Sequence, residues 1–249
     1  MAPNPRSDAV TDRYVLDVVP IGTYVKATEG TKPVSRKKIS SPQEERSDAP
    51  RAPTGDRLRA IASDLFYREG IRAVGVDQIV TETGVTKPTF YRNYESKDEL
   101  ISACLLECIE MKRSQLDAIA GRFPDDPLAQ IRAIVRLFAD DIGAPDYRGC
   151  AVNNAAVEFP NQSHPVREIV ENSKAESRGR LRALATQLQV KNPDLLADGL
   201  MLLIEGASTC RHTSGSQGPA SALVEATDAL LSAFLGSAPE RDDARTLKQ

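Results

Sequence analysis

The chain has 249 residues and a formal net charge of -3, so it is long enough for one large domain or two small ones and is not strongly basic. Its four cysteines form no Cys-x-x-Cys pair and it has only two histidines, which predicts a reduced, cytoplasmic protein without disulfides or a metal. It shows no signal-peptide pattern and no apolar run near the roughly 20 residues that span a bilayer, so we expect no membrane partner.

The first 53 residues are rich in Pro, Ser and charged residues and show no sustained hydrophobic period. This composition predicts a disordered extension over residues 1–53. No acidic residue occurs from position 31 to position 43, and this stretch carries a basic cluster. The cluster consists of Lys32, Arg36, Lys37 and Lys38.

Three helical patterns follow the extension. Residues 54–69 carry an apolar stripe at helical spacing, with Thr54 as the expected N-cap. Residues 77–83 and 86–91 then form two short helical patterns around Gly84, which can adopt the positive φ of a tight turn. This arrangement is typical of a helix-turn-helix, whose second helix enters the major groove of DNA.

Helical patterns also occupy the rest of the chain. Ser96 and Glu99 have the Ser-x-x-Glu spacing of a capping box, which starts a long helix reaching about Ala120. Cap residues and prolines mark later helix starts: these are Asp126-Pro127, His164-Pro165, Asn192-Pro193 and Pro219, with a short apolar helix over residues 151–159. No alternating strand pattern is present, so the predicted fold class is all-α, with a helical domain over residues 101–238 and a flexible tail over residues 239–249.

The order of these parts resembles the TetR/AcrR (tetracycline-repressor) family of bacterial regulators. From Thr83 to Leu100 the chain has the sequence TGVTKPTFYRNYESKDEL, which is similar to the family pattern Ala-Gly-Val-Ser-x-x-Thr-Phe/Leu-Tyr-x-x-Phe-x-x-Lys-x-x-Leu. The resemblance is strong over residues 54–100, the expected helix-turn-helix domain, and architectural beyond. It implies a repressor that binds a palindromic double-stranded DNA operator as a homodimer and is released by a small-molecule effector.

Several residues of this segment are expected to contact DNA. Arg92 can reach a guanine edge, and the resemblance implies backbone clamps at Tyr91, Tyr94 and Lys97. Gly75 stands where the family often has Thr or Ser, which shifts an expected phosphate contact to Thr81. The full predicted set is Thr54, Thr81, Thr86, Lys87, Pro88, Thr89, Tyr91, Arg92, Tyr94 and Lys97.

Alternatives remain open for single members of this set. Lys87 by itself is a solvated charge, Arg92 by itself is an exposed helix residue, and both Tyr91 and Tyr94 can belong to the core. Residues 54–100 hold 7 Lys and Arg residues against 8 Asp and Glu residues, so affinity must come from a few placed donors and two copies. The basic cluster of the extension is either a minor-groove arm or, more simply, an ordinary linker.

The second half of the chain is expected to sense a ligand and to dimerise. Amides in an apolar helix need partners, and a ligand can supply them, although exposure or capping are equally simple explanations. The predicted ligand-binding residues are Asn153, Asn154, Val157 and Phe159. Cys104 and Cys108, one turn apart, are either a thiol sensor or, more commonly, core residues. By resemblance, residues 192–235 form a four-helix dimer interface; the simpler alternative is the monomer core.

Two other classes of protein compete with this interpretation. An enzyme is disfavoured because the chain has no Gly-rich phosphate loop, no paired metal-ligand histidines and no nucleophile elbow, and no cofactor is expected. A helical small-molecule-binding or adaptor protein without specific DNA binding is the second alternative. The donors at the start of the second short helix argue against it.

Overall fold

The computed structural model describes residues 53–236, and no strand occurs within this range, which confirms the all-α prediction. None of the helices in this range has the length and apolar character needed to cross a bilayer. The predicted extension except for Pro53, including its basic cluster, and the predicted tail lie outside the described residues. The helices are α1 (Thr54–Glu69), α2 (Val76–Thr83), α3 (Lys87–Asn93), α4 (Lys97–Arg122), α5 (Pro127–Gly143), α6 (Ala151–Glu158), α7 (Pro165–Gln187), α8 (Pro193–Ser214) and α9 (Leu223–Gly236), with a 3-10 helix at Pro219–Ala222 before α9.

Side-chain caps fix several helix starts where the sequence predicts them. The Ser96 hydroxyl accepts a hydrogen bond from the backbone N–H of Glu99 at 3.1 Å. The Glu99 carboxylate returns to the N–H of Glu95, one residue before the N-cap position that a capping box predicts. Asp126 and Asn192 cap α5 and α8 through the third residue of each helix. These caps fix the residue at which each long helix begins.

Three predicted helix starts are wrong in detail. Thr54 is the first residue of α1, and Pro53 holds the N-cap position without a side-chain cap. Thr86 is in the N-cap position of α3, but its hydroxyl pairs with the Thr89 hydroxyl at 3.0 Å, so it caps no backbone N–H. Pro219 begins the 3-10 helix, and α9 starts only at Leu223. A local pattern does not fix the first residue of a helix: Thr54 and Thr86 are each displaced by one residue, and α9 begins four residues after Pro219.

The apolar core consists of two clusters that meet along α4. The first cluster combines α1 to α3 with the beginning of α4, and it also contains Val152 and Ala155 of α6 and Val166 of α7. The second cluster joins the later part of α4, from Leu116, to α5, α8, α9 and the end of α7. Consequently α6 shares the first cluster with α1, α2 and α3, and α4 belongs to both clusters.

Candidate nucleic-acid interface and cavities

A glycine turn sets the angle between α2 and α3. Gly84 ends α2 with φ 67° and ψ 29°, the left-handed conformation that favours glycine. Its N–H donates to Thr81 at 3.1 Å. Ile79, Val80 and Phe90 are buried beneath the two helices. The buried contacts hold α3 on the surface of the unit, with one of its sides directed outward.

The outward side of α3 carries the expected DNA donors together. Lys87, Pro88, Tyr91 and Arg92 are all exposed. Tyr91 is 52% exposed although it is a large aromatic residue, and its ring packs edge-on against the Phe90 ring at 5.1 Å. This contact fixes the ring while the hydroxyl points away from the core. A convex helix face with a phenol, an ammonium and a guanidinium group has the shape and the donors that a DNA groove accepts.

The polar groups of this face are held only by surface contacts. The Lys87 ammonium lies 2.6 Å from the Asp77 carboxylate, which raises the pKa of Lys87 by its hydrogen bond and its charge. Arg92 donates to the Thr89 hydroxyl at 2.9 Å. Thr81, which is exposed on α2, donates to the carbonyl of Asp77. Exposed pairs of this kind contribute little stability, so DNA can replace them.

Two predicted phosphate clamps are directed inward in the structure. Tyr94 is 8% exposed, and its hydroxyl donates to the Gly55 carbonyl at 3.0 Å; burial raises its pKa. The Lys97 ammonium donates to the Ile71 carbonyl at 2.6 Å, and burial lowers its pKa. A contact with DNA would require the Tyr94 hydroxyl to become accessible, whereas the Lys97 ammonium has further N–H groups besides the one that Ile71 accepts. Thr54 is half-buried at the first turn of α1.

An internal cavity lies among α4, α5, α7 and α8 in the second half of the chain. Two adjoining spaces of about 110 Å³ and about 60 Å³ share the side chains of Leu116, Phe138 and Tyr147. Lys112 and Asp141 form a buried ion pair of 2.6 Å at its wall. The arrangement offers an apolar space with a few fixed polar groups, as ligand sites usually do.

The predicted ligand residues separate onto two sides of α6. Asn153 donates to the Glu205 carboxylate, which also pairs with Lys174 at 2.6 Å, and both of these partners line the internal cavity. Asn154 and Val157 instead line a larger cavity, described below. The fourth residue, Phe159, packs on the His164 ring at 4.3 Å and is not among the lining residues of either cavity.

Sequence reasoning missed the charged residues at the internal cavity. Lys112, Asp141, Lys174 and Glu205 belong to four different helices, so no local spacing connects them. Asp141 is only 5% exposed, although its neighbour Asp140 is exposed. Only the helix register would have identified it, because Asp141 continues the apolar stripe of α5.

Cys104 is buried on α4, and Cys108, one turn later, is half-buried. Burial raises the pKa of Cys104 to about 12 and that of Cys108 to about 11. Both thiols are therefore neutral near pH 7, and the reactive thiolate is scarce. This favours core residues over a thiol sensor.

The last two long helices leave apolar side chains in solvent. Leu202 is 73% exposed, Leu195 is 57% exposed and Leu235 is 43% exposed. On the opposite side, Leu196 and Leu231 are buried in the second cluster. Residues 192–235 therefore complete the core of the chain and also offer an uncovered apolar face.

Comparisons with known proteins agree with this geometry. The family model described as bacterial regulatory proteins, tetR family, matches residues 58–104. A TetR-family transcriptional regulator from Streptomyces coelicolor, solved by crystallography, is 30% identical; the match covers 73% of this chain and 96% of that chain with a TM-score of 0.67.

Two curated relatives are helix-turn-helix regulators with opposite named effects. The HTH-type transcriptional activator FasR of Mycolicibacterium smegmatis is 34% identical over 93 residues, which cover 37% of this chain and 42% of that protein. The HTH-type transcriptional repressor DhaR of Mycobacterium sp. is 26% identical over 174 residues, which cover 63% of this chain and 81% of that protein.

Proposed function

Because this chain belongs to the TetR family of DNA-binding transcriptional regulators, we propose that it is a dimeric repressor that reads a palindromic operator and is released by a small molecule. The observation that carries the proposal is the outward side of α3, where Lys87, Tyr91 and Arg92 are exposed together above a buried Phe90. We assign DNA contacts to this side, with Thr81, Thr86 and Pro88 beside it.

Two copies of the chain are needed for useful affinity. The helix-turn-helix region is not basic overall, so the phosphate attraction of one copy is weak. A dimer formed through the exposed leucines of α8 and α9 would place two α3 helices on one DNA face. Half-sites about 34–36 Å apart fit one helical turn of DNA.

Selection of bound sequences from a random DNA pool tests the DNA-binding proposal. We expect an inverted repeat, and we expect Arg92→Ala to relax the preference at one base pair of each half-site by about 1–3 kcal/mol. Arg132→Ala, at an exposed arginine of α5, is the matched control and should leave the selected sequence unchanged. Enrichment of no sequence by the folded wild-type chain would reject the proposal.

The internal cavity is our candidate for the effector site. It adjoins α4, which begins at the helix-turn-helix and continues for 26 residues into the second cluster. A ligand that displaces the later part of α4 therefore moves the unit that carries α3. Release requires the ligand to prefer the chain when it is not bound to DNA, since equal affinity for both states shifts nothing.

The effector proposal can be tested with a ligand found by thermal shift. Added to the operator complex, the ligand should lower operator affinity by about 5- to 150-fold, which corresponds to a coupling of about 1–3 kcal/mol. Glu205→Gln weakens the contacts of the cavity wall with Lys174 and Asn153. We expect this variant to bind the ligand more weakly and to bind DNA as the wild type does when no ligand is present. A ligand that binds this cavity and leaves operator affinity unchanged would contradict release.

Repression is proposed in preference to activation. The match to the repressor DhaR extends over more of both chains than the match to the activator FasR, which is confined to 93 residues. A reporter placed behind the selected operator would decide the sign: expression should fall when the chain is present and rise when the effector is added. Expression that rises with the chain alone would instead indicate an activator.

A further inference from the structure

We propose that the cavity between α1, α4 and α6 is a second small-molecule site, for a mainly apolar ligand with a hydrogen-bond acceptor, and that its occupation weakens DNA binding. Its regulatory effect rests on the proposed DNA-binding function, whereas ligand binding itself does not. We call this cavity the junction cleft. It has a volume of about 340 Å³ and is larger than either space of the internal cavity.

The walls of the junction cleft are mostly apolar. Phe66, Ile71, Ile101 and Leu105 are buried and form its inner part. The Cys104 thiol also lines it, and its pKa of about 12 keeps it neutral and weakly polar. A volume of this size suits a molecule of two or three fused or linked rings, and its wall excludes a highly hydrated one.

Apolar side chains also stand exposed around the opening. Val157 is 81% exposed at the end of α6, and Met111 is 42% exposed on α4. Both line the cleft, together with Tyr67 of α1. Exposed apolar groups that surround a concave apolar wall mark a binding surface more often than isolated ones do. A ligand in the cleft would cover both side chains.

The three acidic side chains of the cleft, Asp64, Glu69 and Glu158, each have a hydrogen-bond partner, and the Glu69 carboxylate accepts the Gln78 amide N–H at 2.9 Å. The two oxygens of Glu158 accept the backbone N–H groups of Ile71 at 2.9 Å and Arg72 at 2.7 Å. The Asp64 carboxylate pairs with Arg68 at 2.6 Å. Of these contacts, only the ion pair with Arg68 compensates a carboxylate charge, whereas Glu69 and Glu158 are hydrogen-bonded by neutral N–H groups.

The polar group left over is a donor. Arg148 is exposed at the cleft, and within residues 53–236 its guanidinium forms no ion pair with a carboxylate. The Asn154 amide is beside it and donates one N–H to the Arg148 carbonyl at 2.9 Å. A ligand that pairs with this guanidinium must carry an acceptor, most simply an anionic oxygen.

The cleft lies across the connection between the helix-turn-helix and α6. Tyr67 of α1 accepts from the N–H of Arg148 at 2.8 Å and donates to the carbonyl of Gly149 at 3.1 Å. Glu158 makes the second link, to the residues that follow α1. A ligand between these two links would hold α1 against α6 in the arrangement that this structure shows. Any reorientation that the operator requires then costs more, so DNA binding weakens.

The methionines allow the two cavities to be observed separately. The chain has three, of which Met111 lines the junction cleft and Met201 lines the internal cavity. The full chain, labelled with carbon-13 at the methionine methyl groups, would be titrated with anilinonaphthalene sulfonate, an apolar probe with anionic oxygens. We expect a saturable shift of the Met111 signal and a stationary Met201 signal, with assignments from Met111→Leu and Met201→Leu.

Matched variants identify the site. Val157→Lys places a charge at the opening without disturbing the core. We expect it to lower the affinity for the probe at least about tenfold. Leu106→Lys changes an exposed leucine of α4 that lines none of the cavities described, and it should leave probe affinity unchanged. Arg148→Gln should lower the affinity for the sulfonate probe and leave the affinity for its uncharged parent, anilinonaphthalene, unchanged. No saturable shift of Met111, or equal weakening by Val157→Lys and Leu106→Lys, would overturn the site.

A separate titration tests the coupling to DNA. Saturating probe should weaken operator binding at least about fivefold in the wild-type chain and in Leu106→Lys, and the effect should be lost in Val157→Lys. If the Met111 signal shifts while the operator affinity is unchanged or increased, the proposed coupling between the cleft and DNA binding is overturned. If the chain selects no DNA sequence at all, the proposed function fails, and the Met111 titration still decides whether the cleft binds the probe.

Discussion

Tyr91 and Tyr94 are three residues apart, and the end of α3 between them sends their hydroxyls in different directions. Tyr91 is on the helix and 52% exposed, whereas Tyr94 follows the helix in an extended conformation with φ -139° and ψ 121°. The extended residue places its ring under α1, where its hydroxyl meets Gly55. One tyrosine is therefore available to DNA, and the other positions the first turn of α1.

Removing each hydroxyl should separate these two roles. Tyr91→Phe should weaken operator binding and leave the free energy of unfolding unchanged, because only an exposed donor is lost. Tyr94→Phe should lower the free energy of unfolding by about 1 kcal/mol, because it removes a buried hydrogen bond. Urea unfolding and operator titration of both variants measure this. Weaker DNA binding by an equally stable Tyr94→Phe would restore Tyr94 as a direct phosphate contact.

The buried thiols make a prediction about pH. A thiol in the unfolded chain ionises near pH 8.5, whereas Cys104 and Cys108 ionise at about 12 and about 11 in the folded chain. Folding therefore raises both pKa values. The free energy of unfolding keeps the full contribution of the neutral thiols below pH 8.5, and it falls as the pH rises towards 11. At pH 8, alkylation of both thiols should be slow in the folded chain and fast in urea, as read by mass spectrometry. Fast native alkylation of Cys104 would revive the thiol sensor.

At the scale of the helices, charged contacts differ greatly in importance. Lys112 of α4 and Asp141 of α5 keep 16% and 5% of their side chains exposed, and the Lys112 ammonium also lies 5.1 Å from the Phe138 ring centre. The pair Arg132–Asp228, between α5 and α9, keeps 54% and 47% exposed. Water screens the second pair and hardly reaches the first.

Breaking the buried pair should therefore cost much more than breaking the exposed one. Lys112→Met leaves the Asp141 carboxylate buried without its cation, and we expect the free energy of unfolding to fall by about 3–5 kcal/mol. Arg132→Ala should cost less than about 1 kcal/mol. In the double variant Lys112→Met with Asp141→Asn, part of the lost stability should return. Similar costs for the two single variants would show that Asp141 is solvated or differently paired.

At the scale of the whole molecule, the apolar face of α8 and α9 remains uncovered in the single chain. Leu202 is the most exposed leucine there, and Gly199 next to it allows α8 to approach Leu230 of α9 closely. An uncovered apolar face of two adjacent helices is what a symmetric dimer of one chain buries. The same face would set the distance between the two DNA-reading helices.

Leu202→Glu should produce a folded monomer. Its side chain lies in solvent in the single chain, so the substitution costs little fold stability, whereas burial of two carboxylates would oppose dimerisation. Sedimentation should show a dimer for the wild type and for Leu106→Glu, and a monomer for Leu202→Glu, with operator affinity lost alongside. A wild-type monomer, with or without DNA, would sink the dimer proposal.

The features that depend on neighbours along the chain could be predicted from the residues alone. The positive φ of Gly84 and the caps at Ser96, Asp126 and Asn192 are local, so residue type and spacing were sufficient to predict them. The helical class follows in the same way, because periodic apolar stripes specify helices before any packing occurs. The exposed side of α3 was also predictable, since its donors share one face of a short helix.

Which side of each helix contacts which partner depends on how the helices pack together in the folded chain. Asn153 and Asn154 are adjacent in sequence, yet one reaches Glu205 at the internal cavity and the other lines the junction cleft. Tyr94 and Lys97 were predicted to contact DNA. In the structure the Tyr94 hydroxyl donates to a carbonyl of α1, and the Lys97 ammonium donates to the Ile71 carbonyl. The reason is physical: a cavity or a buried polar contact depends on the approach of several helices, and local periodicity carries no information about that approach.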